Sequence, residues 1–204
     1  KFLSINPPNR ITGNPDQISR FDLNNTTSFH PVTFKIPGAT GASLISGLWP
    51  SMQQIYCSDC HNSDRSVKAG GVGPNGPHGS QYEHILMAQY DMPPPTSTTP
   101  PYSSVSFPSS YDLCFRCHSD DYIAVSFSGF RNGATNEHVT HVQNRSIPCF
   151  ACHDPHGVPG VSTTVSSHLV NFDRTWTVDP VTVPNPVYEP DALGGSCTVK
   201  CHAA

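Results

Sequence analysis

The sequence predicts a mostly irregular fold, coil with a few short α or 3-10 helices and minor β, built around something other than its own side chains. Two observations lead there. Of the 204 residues only 36% are hydrophobic, while 21 are proline and 15 are glycine. Proline fixes φ and removes a backbone donor, and glycine loosens the chain, so helices and strands are interrupted throughout. Alone, such a composition leans towards disorder, because little apolar surface is available to offset the entropy of folding. The second observation supplies what is missing. All eight cysteines fall into four close pairs, and each pair is followed directly by histidine.

The boxes are Cys57-Ser58-Asp59-Cys60-His61, Cys114-Phe115-Arg116-Cys117-His118, Cys149-Phe150-Ala151-Cys152-His153 and, with one extra residue, Cys197-Thr198-Val199-Lys200-Cys201-His202. C-x-x-C-H is the attachment signature of a c-type haem. The two sulfurs bond to the vinyl groups of one ring, and the histidine lies over the ring face and donates a nitrogen to iron. Redox dithiols do not require that histidine. Zinc would have to pair boxes into Cys/His sets, which leaves the repeated terminal histidine unexplained. A disulfide framework has no reason to place its cysteines in close pairs, each followed by histidine. The expectation is four haem c groups per chain, bound through Cys57, Cys60, Cys114, Cys117, Cys149, Cys152, Cys197 and Cys201. His61, His118, His153 and His202 then occupy the proximal iron positions. The fold is thus expected to be haem-cored, with no stable apo form.

Taken in order, residues 1–56 contain no cysteine and form an N-terminal arm, with Val32 to Ile36 as its one candidate strand. After box one comes a glycine-rich loop, Gly70 to Ser80, in which the absence of side chains lets the backbone approach a flat cofactor. Gln81 to Tyr90 reads as a short helix with Ser80 as N-cap. Residues 91–110 are a Pro/Ser/Thr-rich connector, expected to be an extended surface crossing. Asp121 to Phe130 reads as a short strand or packed turn. The order of box, Pro-His-Gly, apolar step and box occurs twice, through Pro77-His78-Gly79 and Pro155-His156-Gly157. This is read as an internal repeat of two di-haem units. The organisation is an arm (1–56), a first di-haem unit (57–137) and a second (138–204), in one continuous haem-cored domain.

Net charge is −4 with no basic run, which argues against nucleic acid as partner. No apolar stretch approaches membrane-span length. A chain that begins at Lys1 reads as a mature form after signal removal. Because haem meets cysteine outside the bacterial cytoplasm, the expected location is extracellular or cell-surface, reached through the periplasm.

The sixth iron position is open or filled by His or Met. Seven of the eleven histidines lie outside the boxes, against three methionines, Met52, Met87 and Met92, none in a telling context. Bis-histidine ligation of all four irons is therefore attainable. His78 is the leading distal candidate, since its loop has no other evident purpose. His138 and His141, spaced i, i+3, are expected to reach different irons. His156 is too close to His153 to serve the same haem, but it can reach a neighbouring one. His84 and His168 are expected to be packing or surface residues. His30, on an arm without a haem of its own, is expected to reach a haem of an adjacent molecule, a heterologous contact that propagates into a filament.

The run from Cys57 to His118, and the His138-x-x-His141 that precedes Cys149 to Gly157, resemble the doubled-CxxCH multihaem c-type cytochromes of metal-reducing bacteria. Among these the chain is most similar to the extracellular tetrahaem nanowire cytochromes of Geobacter-type bacteria. The resemblance is carried by motifs in residues 57–202. It implies a continuous haem chain along a homopolymer, with a histidine of one subunit ligating a haem of the next. Other cytochromes or extracellular electron acceptors are the implied partners. The expected function is electron transfer without catalysis. A soluble periplasmic shuttle and a multihaem reductase with one five-coordinate haem are the competing readings.

Overall fold

Little regular structure forms. A computed structural model describes residues 9–12, 16–22, 26–35, 43–45, 54–121, 123, 128–159, 168–190 and 195–202. Within them, strands pair into three two-stranded antiparallel ribbons. β1 (Thr26–Ser28) pairs with β4 (Val158–Pro159), β2 (Arg131–Asn132) with β3 (Thr135–Asn136), and β5 (Val187–Glu189) with β6 (Ser196–Thr198). The helices are single turns, α1 (Asp112–Phe115) and α2 (Arg174–Thr177), with a π-turn at Val139–Gln143 and several 3-10 turns. The mostly irregular architecture expected from the Pro and Gly load is thus found.

Three local expectations are corrected. Gln81 to Tyr90 does not form a helix beyond the 3-10 turn Glu83–Ile85, because His84 and Ile85 adopt φ of 60° and 54°. The left-handed region breaks any helical run. The arm's strand is β1, while residues 32–34 form bends. Ile36 lies outside the described residues, as does part of the span from Asp121 to Phe130. The connector 91–110 is irregular, but it is not wholly a surface crossing. Ser103, Val105 and Ser110 are buried, and the Pro93 carbonyl accepts from the Trp176 indole at 3.2 Å.

Side chains alone build only a thin core. One cluster joins Ile147, Phe150, Ala151 and Trp176, and a second joins Phe172, Tyr188 and Val199. Cys152 packs against both, and Cys197 against the second. The Asp173 carboxylate caps α2 by accepting the Thr175 amide at 2.9 Å, which places Trp176 inward against Phe150. The clusters therefore hold the second pair of boxes in place. Among the described residues no helix is long and apolar enough to cross a membrane.

The arm is tied into this body. Arg10 and Arg20, both buried, reach Asp154, which is 1% exposed and directly follows His153. β1 pairs with β4 just beyond that point.

Candidate haem sites

Boxes one, two and three share one backbone turn. The histidine amide donates to the first cysteine carbonyl at 2.7, 2.9 and 2.9 Å for His61, His118 and His153. The second cysteine amide donates to the same carbonyl at 3.3, 3.2 and 3.2 Å. This tight turn sets two sulfurs and an imidazole on one side of the chain. Box four cannot copy it, because of its extra residue. Cys197 lies on β6, and the chain turns only afterwards, with the His202 amide on the Val199 carbonyl at 2.9 Å.

A three-part clasp fixes each of the first three boxes. In box one the His61 Nδ1 bonds the His84 carbonyl at 2.8 Å, His61 bridges Leu86, and the Met87 amide donates to the Cys60 carbonyl at 2.9 Å. In box three His153 Nδ1 bonds the His168 carbonyl at 2.8 Å, His153 bridges Val170, and the Asn171 amide donates to the Cys152 carbonyl at 2.8 Å. His84 and His168, with the aliphatic residue after each, share a left-handed backbone. Box two is clasped from upstream. His118 bonds the Ser43 backbone and bridges Leu44, and the Ile45 amide donates to the Cys117 carbonyl at 2.9 Å.

Opposite each box histidine stands one histidine from elsewhere in the same chain. His61 faces His156 with ring centroids 6.0 Å apart, His118 faces His30 at 6.3 Å, His153 faces His138 at 6.2 Å, and His202 faces His141 at 5.7 Å. A metal–imidazole bond of about 2 Å, with about 1.1 Å from nitrogen to ring centre on each side, places two axial imidazoles about 6 Å apart. In the fourth pair the two Nε2 atoms are 3.5 Å apart, close to the about 4 Å of two such bonds in line.

The tautomers agree with this arrangement. Nδ1 of His30, His61, His141 and His153 bonds a backbone carbonyl, and Nδ1 of His138 bonds the Ser128 hydroxyl at 3.0 Å. A ring that donates Nδ1–H keeps its lone pair on Nε2 and is oriented as metal-ligating histidines are. Burial, the leading cause in each case, depresses the basicity of five of these rings. His118 and His156 are held at about 4 and His138 at about 3, while His30 and His153 are also lowered. At neutral pH these five rings are uncharged.

The cysteines give a complementary signal. All eight are free thiols. Burial first, then neighbouring cysteines, pushes Cys60, Cys114 and Cys152 up to about 12. A redox dithiol needs the opposite, a thiol lowered towards neutrality. Among the described residues no three Cys, His, Asp or Glu side chains converge as a metal-binding group, as a zinc site would require. In contrast, two cysteines with an axial pair of imidazoles match the attachment and ligation of a c-type haem. The residues at all four boxes fit that group.

The distal candidates divide. His138, His141 and His156 each stand opposite a box histidine, with His138 and His141 directed to different boxes. His30 stands opposite His118 of the same chain. Its Nδ1 is held by the Pro155 carbonyl at 2.9 Å, and the buried Arg10 and Arg20 tether the arm that carries it. His78, the leading candidate, faces no other histidine among the described residues. It is exposed, and its ring folds back to Gly76, where an added Cβ would lie 2.8 Å from Nε2. The glycine-rich loop has another use: Asn62, fully buried, accepts the Ser63 and Gly76 amides and closes the loop against box one. His84 and His168 are exposed, and they act through their carbonyls. Sequence reasoning missed those two carbonyls, and the aliphatic pairs after each histidine, Ile85-Leu86 and Leu169-Val170, were the available signal.

The boxes neighbour one another in chain order. Cys60 lies near Cys117, Cys114 near Cys60 and Cys149, and Cys152 near Cys197 and Cys201. No family model, curated protein or solved structure matches the chain.

Proposed function

We propose that the chain is a tetrahaem c-type cytochrome whose haems are all bis-histidine ligated and carry electrons from one end of the molecule to the other. The single observation that carries this reading is the set of four facing histidine pairs. Among the described residues each box histidine faces one such counterpart, at the spacing two axial ligands would need. Haem bound in this way supplies a one-electron iron couple whose potential depends on ligand identity, burial and nearby charge. The cysteines would tether the group, the Nδ1 hydrogen bonds orient the rings, and His30, His138, His141 and His156, each facing a box histidine, would supply its further ligands. Closed positions leave no place for a substrate on iron, which separates this reading from a reductase. The linear order of the boxes supports passage of electrons through successive sites.

We further propose an extracellular setting and assembly into a nanowire, on the resemblance of residues 57–202 and on that linear order. A soluble shuttle is the second reading; the four facing pairs are drawn from residues of one chain, as a shuttle would need. Electron microscopy of the native protein separates the two: uniform filaments support the wire, and monodisperse particles support the shuttle. The haem reading is tested by the mass and pyridine haemochrome of the purified chain. Four haems per chain are expected, and fewer than four refutes it.

A further inference from the structure

One short loop touches three of the four candidate sites. His153 is the box histidine of site three. His156, three residues on, faces His61 at site one. Between them the Pro155 carbonyl holds Nδ1 of His30, which faces His118 at site two. The residue at the centre of this loop is Asp154, 1% exposed.

An ionised carboxylate at such depth persists only when it is paired and hydrogen-bonded. Asp154 is both. Oδ2 accepts from Arg20 and, at 3.1 Å, from Asn171 Nδ2, with Arg10 Nε at 3.5 Å. Oδ1 accepts the His156 amide at 3.2 Å, the Asp154 carbonyl accepts the Gly157 amide at 3.1 Å, and Arg20 also donates to the Gly157 carbonyl at 2.9 Å. The carboxylate thus joins three things: the amide of one distal ligand, the turn that presents the carbonyl for another, and the two arginines of the arm. Gly157 is the matching constraint. Its φ is 97°, and an added Cβ would lie 2.4 Å from the Arg20 carbonyl oxygen.

Resting on the tetrahaem reading, we infer that Asp154 is a positioning residue that sets distal ligation at sites one and two together, through His156 and through the Pro155 carbonyl on His30. Asp154 also meets Asn171, whose amide clasps Cys152 at site three, but three histidines of sites three and four have Nδ1 partners of their own. His153 is fixed by the His168 carbonyl, and His138, at the N-cap of the π-turn, and His141, on it, have their own Nδ1 partners.

The experiment counts carbon monoxide bound per ferrous chain, alongside the high-spin ferric signal in electron paramagnetic resonance, for the haem-loaded protein. Wild type should bind none, and uptake by wild type would instead overturn the tetrahaem bis-histidine reading itself. With wild type silent, Asp154→Ala should bind two per chain. Adding His30→Ala and His156→Ala to it should leave the count at two, because those ligands are already displaced. Gly157→Ala, which presses on the same contact by sterics alone, should open the same two sites. An Asp154→Ala protein that binds none overturns the inference. So does a count that rises in the triple variant, or failure of both single variants to retain four haems, since the effect is then not confined to two sites.

Discussion

Replacement of His30 by alanine isolates one ligand of one pair. In the structure His30 contributes a ring 6.3 Å from that of His118 and one Nδ1 bond of 2.9 Å to Pro155. Loss of one hydrogen bond costs a net of about 1 kcal/mol. A folded domain has roughly 5–15 kcal/mol in hand, so the variant stays folded. On the proposed tetrahaem reading, one iron of four would lose its distal nitrogen, and one quarter of the haem would become high-spin in the ferric state. The ferrous chain then takes up one carbon monoxide where wild type takes none. Because the partner is His118 of the same chain, the count is the same in dilute and concentrated solution. Spectra and carbon monoxide uptake, measured across a wide dilution series, decide the matter. A variant with a wild-type spectrum refutes the pairing. A wild-type protein whose site opens only on dilution refutes its intramolecular character and restores ligation between subunits.

Further outcomes follow from the same geometry. His78→Ala should leave the low-spin spectrum and the absence of carbon monoxide binding unchanged; a new high-spin haem would return His78 to the ligand set. Trp176→Ala removes a side chain 3% exposed that packs edge-on against Phe150, and should cost about 3–5 kcal/mol in guanidinium unfolding. A loss under about 1 kcal/mol would mean that the cluster behind box three matters little. Acid should weaken the fold. The folded pKa values of His118, His138 and His156 lie below the ordinary 6.5. Their neutral rings therefore contribute stability that is complete above about pH 6.5 and is lost as pH falls towards the folded values. The guanidinium midpoint should drop between pH 6.5 and 4, by up to about 1.4 kcal/mol per pH unit for each such histidine. A midpoint that is flat or rises on acidification contradicts this.

The chemistry was more legible in the sequence than its spatial arrangement. Cysteine spacing marked the four boxes, with eight thiols and the histidine that follows each pair, because the pattern is local. That His138 and His141 face different boxes was legible from their i, i+3 spacing. The places of His30 and His78 were not, since they depend on contacts across the chain. A glycine-rich loop looks the same whether it approaches a cofactor or, as here, closes on Asn62. The place of His30 follows from Arg10 and Arg20 meeting Asp154 across more than a hundred residues, a pairing no local pattern records. The failed helix at Gln81 to Tyr90 has a similar cause. His84 and Ile85 take left-handed φ so that a carbonyl meets His61, and this tertiary demand overrides an amphipathic pattern.

The most direct test of the account is haem stoichiometry and spin state of the native chain, at a dilution where it is a single molecule. Mass spectrometry and pyridine haemochrome give the count, and electron paramagnetic resonance with near-infrared magnetic circular dichroism gives the axial ligands. The account predicts four haems per chain, every one low-spin with two nitrogen ligands and none binding carbon monoxide. Fewer than four haems, or a single iron with an open position in the isolated chain, would contradict it.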